Sequence, residues 1–309
     1  MIHVFGSVGR DLVSFVPHLP RPGETVIGAE FHEFPGGKGS NQAVAARRLG
    51  ARTKFIGNVG ADAFGETMIA FLAAEGIDVS EMRRREGTPT QLAFIWVDRA
   101  AENSIVIIPG ANWAWNEDEL PLDTIAPGDI VMCQFEIPTE IVTTVFRAAK
   151  DRGARTILNP APARAIPEAL LADVDYLVVN EIELAGLSQV TVDPDDTASV
   201  DIAARTVLVR GPQAVITTLG AAGAVISTAA GCVCAPGHPV DAVDTTGAGD
   251  CFIGALASSL AESRELESAV RFANRAAALS VTRRGAASSI PTLLEVEECE
   301  APLPRQGAR

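Results

Sequence analysis

The chain has 309 residues, 47% of them hydrophobic and 21% charged, a balance that marks a globular protein and excludes a disordered one. A formal net charge of −14 argues against non-specific binding to nucleic acid or to an anionic membrane surface. A nucleotide stays open, because it needs only local donors and a metal ion.

In chain order, residues 2–5 form a short apolar run ending at Gly6, which suits a buried strand. Residues 38–49 read as a helix with Gly50 as its stop, 53–59 as a strand, and 63–74 as a second helix stopped by Gly76. Strand-like runs at 130–133, 156–158, 176–179 and 214–218 then alternate with helix-like ones at 139–152 and 200–209. This alternation predicts a three-layer α/β/α domain, with a mostly parallel sheet covered by helices on both faces. Two Ala-rich helices, 248–261 and 266–282, follow. Residues 295–309 are polar with prolines, and their end is expected to fray.

Two stretches break the rhythm. Residues 12–34 hold Pro17, Pro20, Pro22 and Gly23 between extended runs, and 90–108 read as two strands around the polar turn 98–103. Neither has an adjacent helix pattern. Both are expected to form antiparallel strands of a small β-sheet lid, inserted in a main domain made of 1–11, 35–89 and 109–309. Peripheral hairpins with no mobile role are the alternative.

The cysteines (Cys133, Cys232, Cys234, Cys251, Cys299) are odd in number and lack metal-ligand spacing; Cys232-x-Cys234 lies in an apolar run, so its thiols are expected to be buried. No signal-peptide pattern opens the chain, and no apolar run reaches the ~18 residues of a membrane span. These features predict a reduced, soluble, cytoplasmic protein.

The most informative segment is Asp244-Thr245-Thr246-Gly247-Ala248-Gly249-Asp250, followed at once by an apolar run. It reads as a loop entering a buried helix. The first amides of a helix lack internal partners and sit at its positive end, so small residues there make a phosphate cradle. Asp250 is placed to take a proton from a hydroxyl attacking that phosphate. The plainer reading, a capped helix after a glycine turn, is the usual one for such a segment alone. A second loop, Pro35-Gly36-Gly37-Lys38-Gly39-Ser40-Asn41, leaves backbone amides open for a small polar ligand; glycine after Lys38 excludes a Walker A loop. Asn180 and Glu183, after the 176–179 strand, share a helix face and suit either water-mediated Mg²⁺ or simple capping. Thr218, Gly220 and Gly223 form a turn at another strand end, and Glu136 and Asp11 are loop carboxylates after strands.

Taken in order, these segments resemble the ribokinase-like (PfkB) family of carbohydrate kinases, from about Ile2 to Pro291. Gly36-Gly37-Lys38-Gly39 and the 244–250 segment are similar to its two signatures; Asn159-Pro160-Ala161-Pro162-Ala163-Arg164 and Val281-Thr282-Arg283-Arg284-Gly285-Ala286 are similar to further family flanks. The resemblance implies ATP and a small sugar as partners, with Mg²⁺ and a monovalent cation, usually K⁺, as cofactors. It implies Asp250 as base and Gly247, Ala248 and Gly249 as anion hole. Sugar contacts are implied at Asp11, Gly37, Lys38, Gly39, Asn41 and Glu136, and ATP contacts at Asn180, Thr218, Gly220, Gly223, Gly249 and Asn274. The Mg²⁺ region falls on Asn180 and Glu183. The K⁺ site falls on Asp244, Thr246, Ser280, Arg283, Gly285 and Ser289. A homodimer through the lid sheet is implied too. One departure concerns the sugar: the family usually has asparagine two residues before the first-loop aspartate, and here that position is Gly9. Ribose ranks first, then fructose or 2-keto-3-deoxygluconate, then a nucleoside. Trp113 and Trp115 stand after the second lid segment, to wall the sugar or to pack in the core. A sensor without turnover is the competing class. A dehydrogenase is disfavoured, because Gly6-x-x-Gly9 is not the dinucleotide fingerprint.

Overall fold

The computed structural model describes residues 1–100 and 102–299. The expected fraying of the last residues lies mostly outside them. The strands are β1 (Ile2–Phe5), β2 (Gly9–Phe15), β3 (Glu30–Gly36), β4 (Thr53–Gly60), β5 (Asp78–Arg85), β6 (Gln91–Val97) and β7 (Asn103–Ile108). They continue as β8 (Ile130–Gln134), β9 (Arg155–Asn159), β10 (Tyr176–Asn180), β11 (Ala214–Thr218), β12 (Gly223–Thr228) and β13 (Gly231–Pro236). The helices are α1 (Lys38–Arg48), α2 (Ala63–Ala74), α3 (Thr139–Asp151), α4 (Glu168–Leu171), α5 (Glu181–Ser188), α6 (Thr197–Leu208), α7 (Ala248–Ala261), α8 (Leu266–Ser280) and α9 (Leu293–Glu298).

Nine strands form the main sheet, in the order β13-β12-β11-β10-β9-β8-β1-β4-β5. Pairing is parallel from β5 to β11 and antiparallel from β11 to β13. Central strands such as β1 and β8 are mostly apolar and are buried along their whole length, because helices cover both faces. Side chains alternate between the two layers. On β10, Val178 packs in the core beneath α1, α7 and α8, while Leu177 and Val179 pack in the core beneath α3, α5 and α6.

A second sheet, ordered β3-β2-β6-β7, holds the two segments that interrupt the α/β rhythm. The expected antiparallel pairs, β2 with β3 and β6 with β7, are joined by a parallel pairing of β2 with β6. Long connections through the main sheet separate β2 from β6, so no hairpin fixes their direction. The strands begin at Gly9 and reach Gly36, so this sheet carries both the start of the first loop and the approach to the glycine–lysine loop.

Three features depart from the sequence reading. The edge strand β5 was not expected, because its charged residues (Asp78, Glu81, Arg83, Arg84, Arg85) hide the strand pattern; charge is a usual device on a sheet edge. The short helix α9 runs into the start of the stretch read as polar tail, begun by a capping box between Thr292 and Glu295. Cys232 and Cys234 are exposed rather than buried, since their strand is the outer edge of the sheet.

Helices α1 and α7 approach closely at Gly254. A Cβ there would collide with that of Ala45 and lie 2.5 Å from the Gln42 carbonyl oxygen. Gly254→Ala is therefore expected to destabilise by roughly 1–3 kcal/mol through overpacking, although alanine is intrinsically the better helix former by about 1 kcal/mol. Urea unfolding measures this; an unchanged or raised midpoint would show that the close crossing is not required.

Candidate functional site

The loop before α7 folds as its small residues dictate. Gly247 is the N-cap at φ +75°, and a Cβ on it would lie 2.9 Å from that of Ala286, so conformation and space both call for glycine. No side chain caps the helix, and Gly247, Ala248 and Gly249 line a cleft. Ala248 donates its amide to the Thr245 carbonyl at 3.2 Å, which leaves the amides after it, at the positive helix end, open to an anion.

Asp250, in the first turn of α7, is only 7% exposed yet lines the same cleft as Lys38. Its two carboxylate oxygens accept from amides of α1: Asn41 Nδ2 at 3.1 Å on Oδ2, and Gln42 Nε2 at 3.0 Å on Oδ1. A buried carboxylate needs such partners. The segment pair singled out in the sequence is thus joined by direct hydrogen bonds, and the carboxyl faces the cleft that the glycine–lysine loop also borders.

The start of α1 is held by Glu136. Its Oε2 accepts from the Lys38 backbone amide at 2.9 Å and from Ser7 Oγ at 2.5 Å, and Ser7 Oγ accepts from the Gly39 amide at 3.2 Å. A carboxylate at a helix N-terminus is favoured by the dipole. Glu136 therefore has a structural task, while its Oε1 makes no hydrogen bond to the described residues. Asp11, on β2, feels Glu136 and Asp250 nearby. Its carboxyl is pushed up to about 7, first by burial and then by those two negative charges, with Arg10 and Lys38 opposing. The Asp250 carboxylate holds the Lys38 ammonium above its ordinary value, against the effect of burial. The Asn41 Oδ1 atom is buried without a protein partner, an acceptor left for a ligand.

On the other side of the cleft stand Asn180, Glu183 and Thr218, at the carboxyl ends of β10 and β11. Asn180 and Glu183 form a complete capping box: Asn180 Oδ1 accepts from the Glu183 amide at 2.7 Å, and Glu183 Oε2 accepts from the Asn180 amide at 2.9 Å. Capping and cleft-lining are both present, since Glu183 Oε1 is not used by the box. Among the described residues no group of three or more His, Cys, Asp and Glu side chains is placed to hold a metal ion. Gly220 lies exposed in the turn after Thr218, and Gly223 is buried at φ +100° where β12 begins. Asn274 is buried on α8, and its Nδ2 donates to the carbonyls of Ala235 (2.9 Å) and Pro236 (3.2 Å), tying α8 to β13.

The 244–246 and 280–289 loops lie against each other. Val243 and Asp244 donate backbone amides to the Val281 carbonyl, at 2.7 and 3.1 Å. Asp244 Oδ1 accepts from the Thr246 amide, and its Oδ2 from the Gly285 amide at 2.8 Å. Partial burial works to raise the Asp244 carboxyl, but these amides hold it below the usual range. Ser280 and Ser289 are buried and donate their hydroxyls to Ala277 and Ala286, while exposed Arg283 pairs with Glu295 at 2.5 Å.

Sequence reasoning missed the polar chain behind Asp250. Gln134 Nε2 donates to Gln42 Oε1 at 2.6 Å, and Gln42 Nε2 is shared between Asp250 and Asn159 Oδ1 (3.3 Å). Asn159 Nδ2 in turn donates to the Val178 carbonyl at 3.2 Å. All three side chains are buried. The available signal was Gln42 itself, an amide among the small apolar residues of α1. Of the tryptophans, Trp115 packs against the core and donates Nε1 to the Asn112 carbonyl at 2.8 Å. Trp113 is 51% exposed beneath the Arg164 guanidinium, 5.2 Å from its ring centre.

Comparison with known proteins fits this arrangement. Residues 1–293 match the pfkB family carbohydrate kinase model. The chain is 41% identical to the ribokinase of Bacillus subtilis over 306 residues, covering 96% of this chain and 98% of the relative. It is 40% identical to the ribokinase of Haemophilus influenzae over 297 residues, with 96% of each chain covered. The solved structure of Arabidopsis thaliana ribokinase complexed with ribose and ATP superposes with a TM-score of 0.90 at 32% identity, covering 96% of this chain and 97% of that one. Two loops distant in sequence, bound to each other through a buried carboxylate at a helix N-terminus, and a match along nearly the whole chain lead to one assignment: this chain belongs to the pfkB family of carbohydrate kinases.

Proposed function

We propose that the protein transfers the γ-phosphoryl group of ATP to a primary hydroxyl of a small sugar, with ribose the leading substrate and ribose 5-phosphate the product. The observation that carries this reading is the Asp250 carboxylate, held by Asn41 and Gln42 in a cleft that Gly247, Ala248 and Gly249 also line. Asp250 takes the hydroxyl proton as the new bond forms, a contribution of roughly 10²–10⁴-fold. Amides of the α7 first turn stabilise charge on the transferring group, and positioning supplies the larger share. Asp11, Gly37, Lys38, Gly39, Asn41 and Glu136 bound the sugar side. Thr218, Gly220, Gly223 and Asn274 border or brace the nucleotide side.

The donor set suits Mg²⁺ held through water at Asn180 and Glu183, where one Glu183 oxygen is left over by the capping box. When bound, that ion neutralises phosphate charge. A K⁺ ion belongs beside the paired loops that carry Asp244, Thr246, Ser280, Arg283, Gly285 and Ser289, which the fixed Asp244 carboxylate holds together. The second sheet acts as lid, with 12–34 and 90–108 inserted in the main domain. Its apolar residues Phe31, Ile105, Val106, Ile107 and Ile108 are 44–57% exposed, which supports a homodimer through this face. Cysteines without disulfides support a cytoplasmic setting. Among the described residues no helix is long and apolar enough to cross a membrane.

Four measurements test the reading. A coupled ATP-consumption assay over pentoses, hexoses, keto-deoxy acids and nucleosides, with and without K⁺, is expected to give its highest kcat/KM with ribose; no turnover with any acceptor would favour a sensor. Asp250→Asn is expected to keep the fold and sugar binding while kcat falls about 10²–10⁴-fold. Near-normal turnover in that variant would remove Asp250 from the chemistry. For Asp11 the sign is set by its raised value: the carboxylate, which accepts hydrogen bonds from sugar hydroxyls, is present above pH about 7 and lost below it. Sugar affinity of the free enzyme should therefore improve as pH rises through that value, and Asp11→Asn should flatten the profile in calorimetric titrations. Sedimentation equilibrium should return a dimer, and Ile107→Glu should shift it to monomer.

A further inference from the structure

We propose that Gln91 is a specificity-determining residue of the sugar pocket: its side-chain amide occupies space that only Gly9 leaves open, and it donates to a ligand hydroxyl that Asp11 accepts from. This rests on the sugar-kinase reading above.

The sheet register sets the placement. Gly9 on β2 pairs with Gly36 on β3 and with Gln91 on β6. Residues paired across strands share a face, and Asp11, two residues on from Gly9, shares it too. Each glycine on this patch makes room for a polar neighbour. A Cβ on Gly36 would collide with the Asp11 carboxylate; a Cβ on Gly9 would lie 2.7 Å from the Gln91 backbone carbonyl oxygen, 2.8 Å from Gln91 Cβ and 2.9 Å from its Cγ. The Gln91 side chain thus stands where a side chain from position 9 would begin.

The orientation of the Gln91 amide follows from Asn112. Asn112 Oδ1 accepts from the Val8 amide at 3.1 Å, and its Nδ2 donates to the Val8 carbonyl at 3.1 Å, so the Val8 peptide fixes which end of Asn112 is which. That same Nδ2 donates to Gln91 Oε1 at 2.8 Å. Gln91 must therefore turn Nε2 the other way, where it makes no hydrogen bond to the described residues. Gln91 is 3% exposed. Its Nε2 is not among the sealed, unpartnered polar atoms of the interior, so the donor keeps accessible surface through which a ligand hydroxyl can reach it. Asp11 beside it can only accept when ionised. Donor and acceptor on one patch match a hydroxyl group, which offers both. The site would then discriminate against a sugar lacking that hydroxyl, because both protein groups would be left unpaired.

The test is steady-state kinetics on the purified enzyme with ribose and its singly deoxygenated analogues. Gln91→Gly is expected to raise the sugar KM roughly tenfold or more while the KM for ATP stays within about twofold, and to narrow the preference for ribose over one analogue. The double variant Gly9→Asn/Gln91→Gly returns an amide to the same space from the neighbouring strand; Gly9 has no positive φ that would forbid asparagine, and with the Gln91 side chain gone only the residue-91 carbonyl, 2.7 Å from a Cβ at position 9, has to shift. It is expected to recover most of the lost sugar affinity. Gly9→Asn alone, which collides with Gln91, should lower the melting temperature. A Gln91→Gly enzyme with unchanged sugar KM and unchanged analogue preference overturns the assignment while the kinase reading stands. Should Gln91→Gly not fold, the double variant decides: no change in the ranking of analogues and no rescue of stability overturns it. Wild-type enzyme inactive on every sugar would take down both readings together.

Discussion

The buried carboxylate of Asp250 can exist only because α1 delivers two amide donors to it. An ionised group in a poorly hydrated place is tolerated when its lone pairs are met by hydrogen bonds, and Asn41 and Gln42 meet one oxygen each. These bonds join positions 209 and 208 residues apart. They fix the start of α7 against the start of α1, which puts an anion-binding helix end beside the glycine–lysine loop. The site is the place where two helix N-termini meet around one negative side chain.

That meeting is supported from below. Gly254 and Ala45 let the two helices cross at close range, so the amides of α1 reach the first turn of α7 without strain. Gln42 is positioned in turn by Gln134 on β8 and shares its donor with Asn159 on β9. The chain of amides therefore ties the Asp250 carboxylate to the carboxyl ends of two central strands. Charges around it are tuned by the same crowding. Lys38 is held protonated by Asp250, while Asp11 is pushed towards the neutral form by burial and by its two acidic neighbours. The site thus holds a buried cation and a proton-sensitive acceptor close to one carboxylate.

Much of this was legible beforehand where the signal is local. The 244–250 segment announced a helix start with a carboxylate in its first turn, and α7 begins at Ala248 as its apolar run suggests. Helix α2 and strand β11 fall at the expected residues, since periodicity and glycine stops act over a few positions. Where a residue's role depends on what packs beside it, the sequence was silent or misleading. Strand β5 is masked by charge because it is an edge. Cys232 and Cys234 look buried by composition and are exposed because their strand is the last of the sheet. Glu136 reads as a loop carboxylate and turns out to cap α1 across 98 residues. Gln42, Gln134 and Asn159 carry no spacing that marks them, for their partners come from other elements.

The sequence by itself determined the α/β alternation, the interrupted segments that leave it, and the two glycine loops with their acidic and basic residues. Each of these follows from short-range sterics: backbone freedom at glycine, helix periodicity and apolar runs. Only the tertiary structure decided which groups face one another. It placed Asn41 and Gln42 on Asp250, gave Glu136 to the start of α1, and filled the space over Gly9 with Gln91. The physical reason is that hydrogen bonds and charge interactions act over a few ångströms in space, and only folding brings residues distant along the chain within that range.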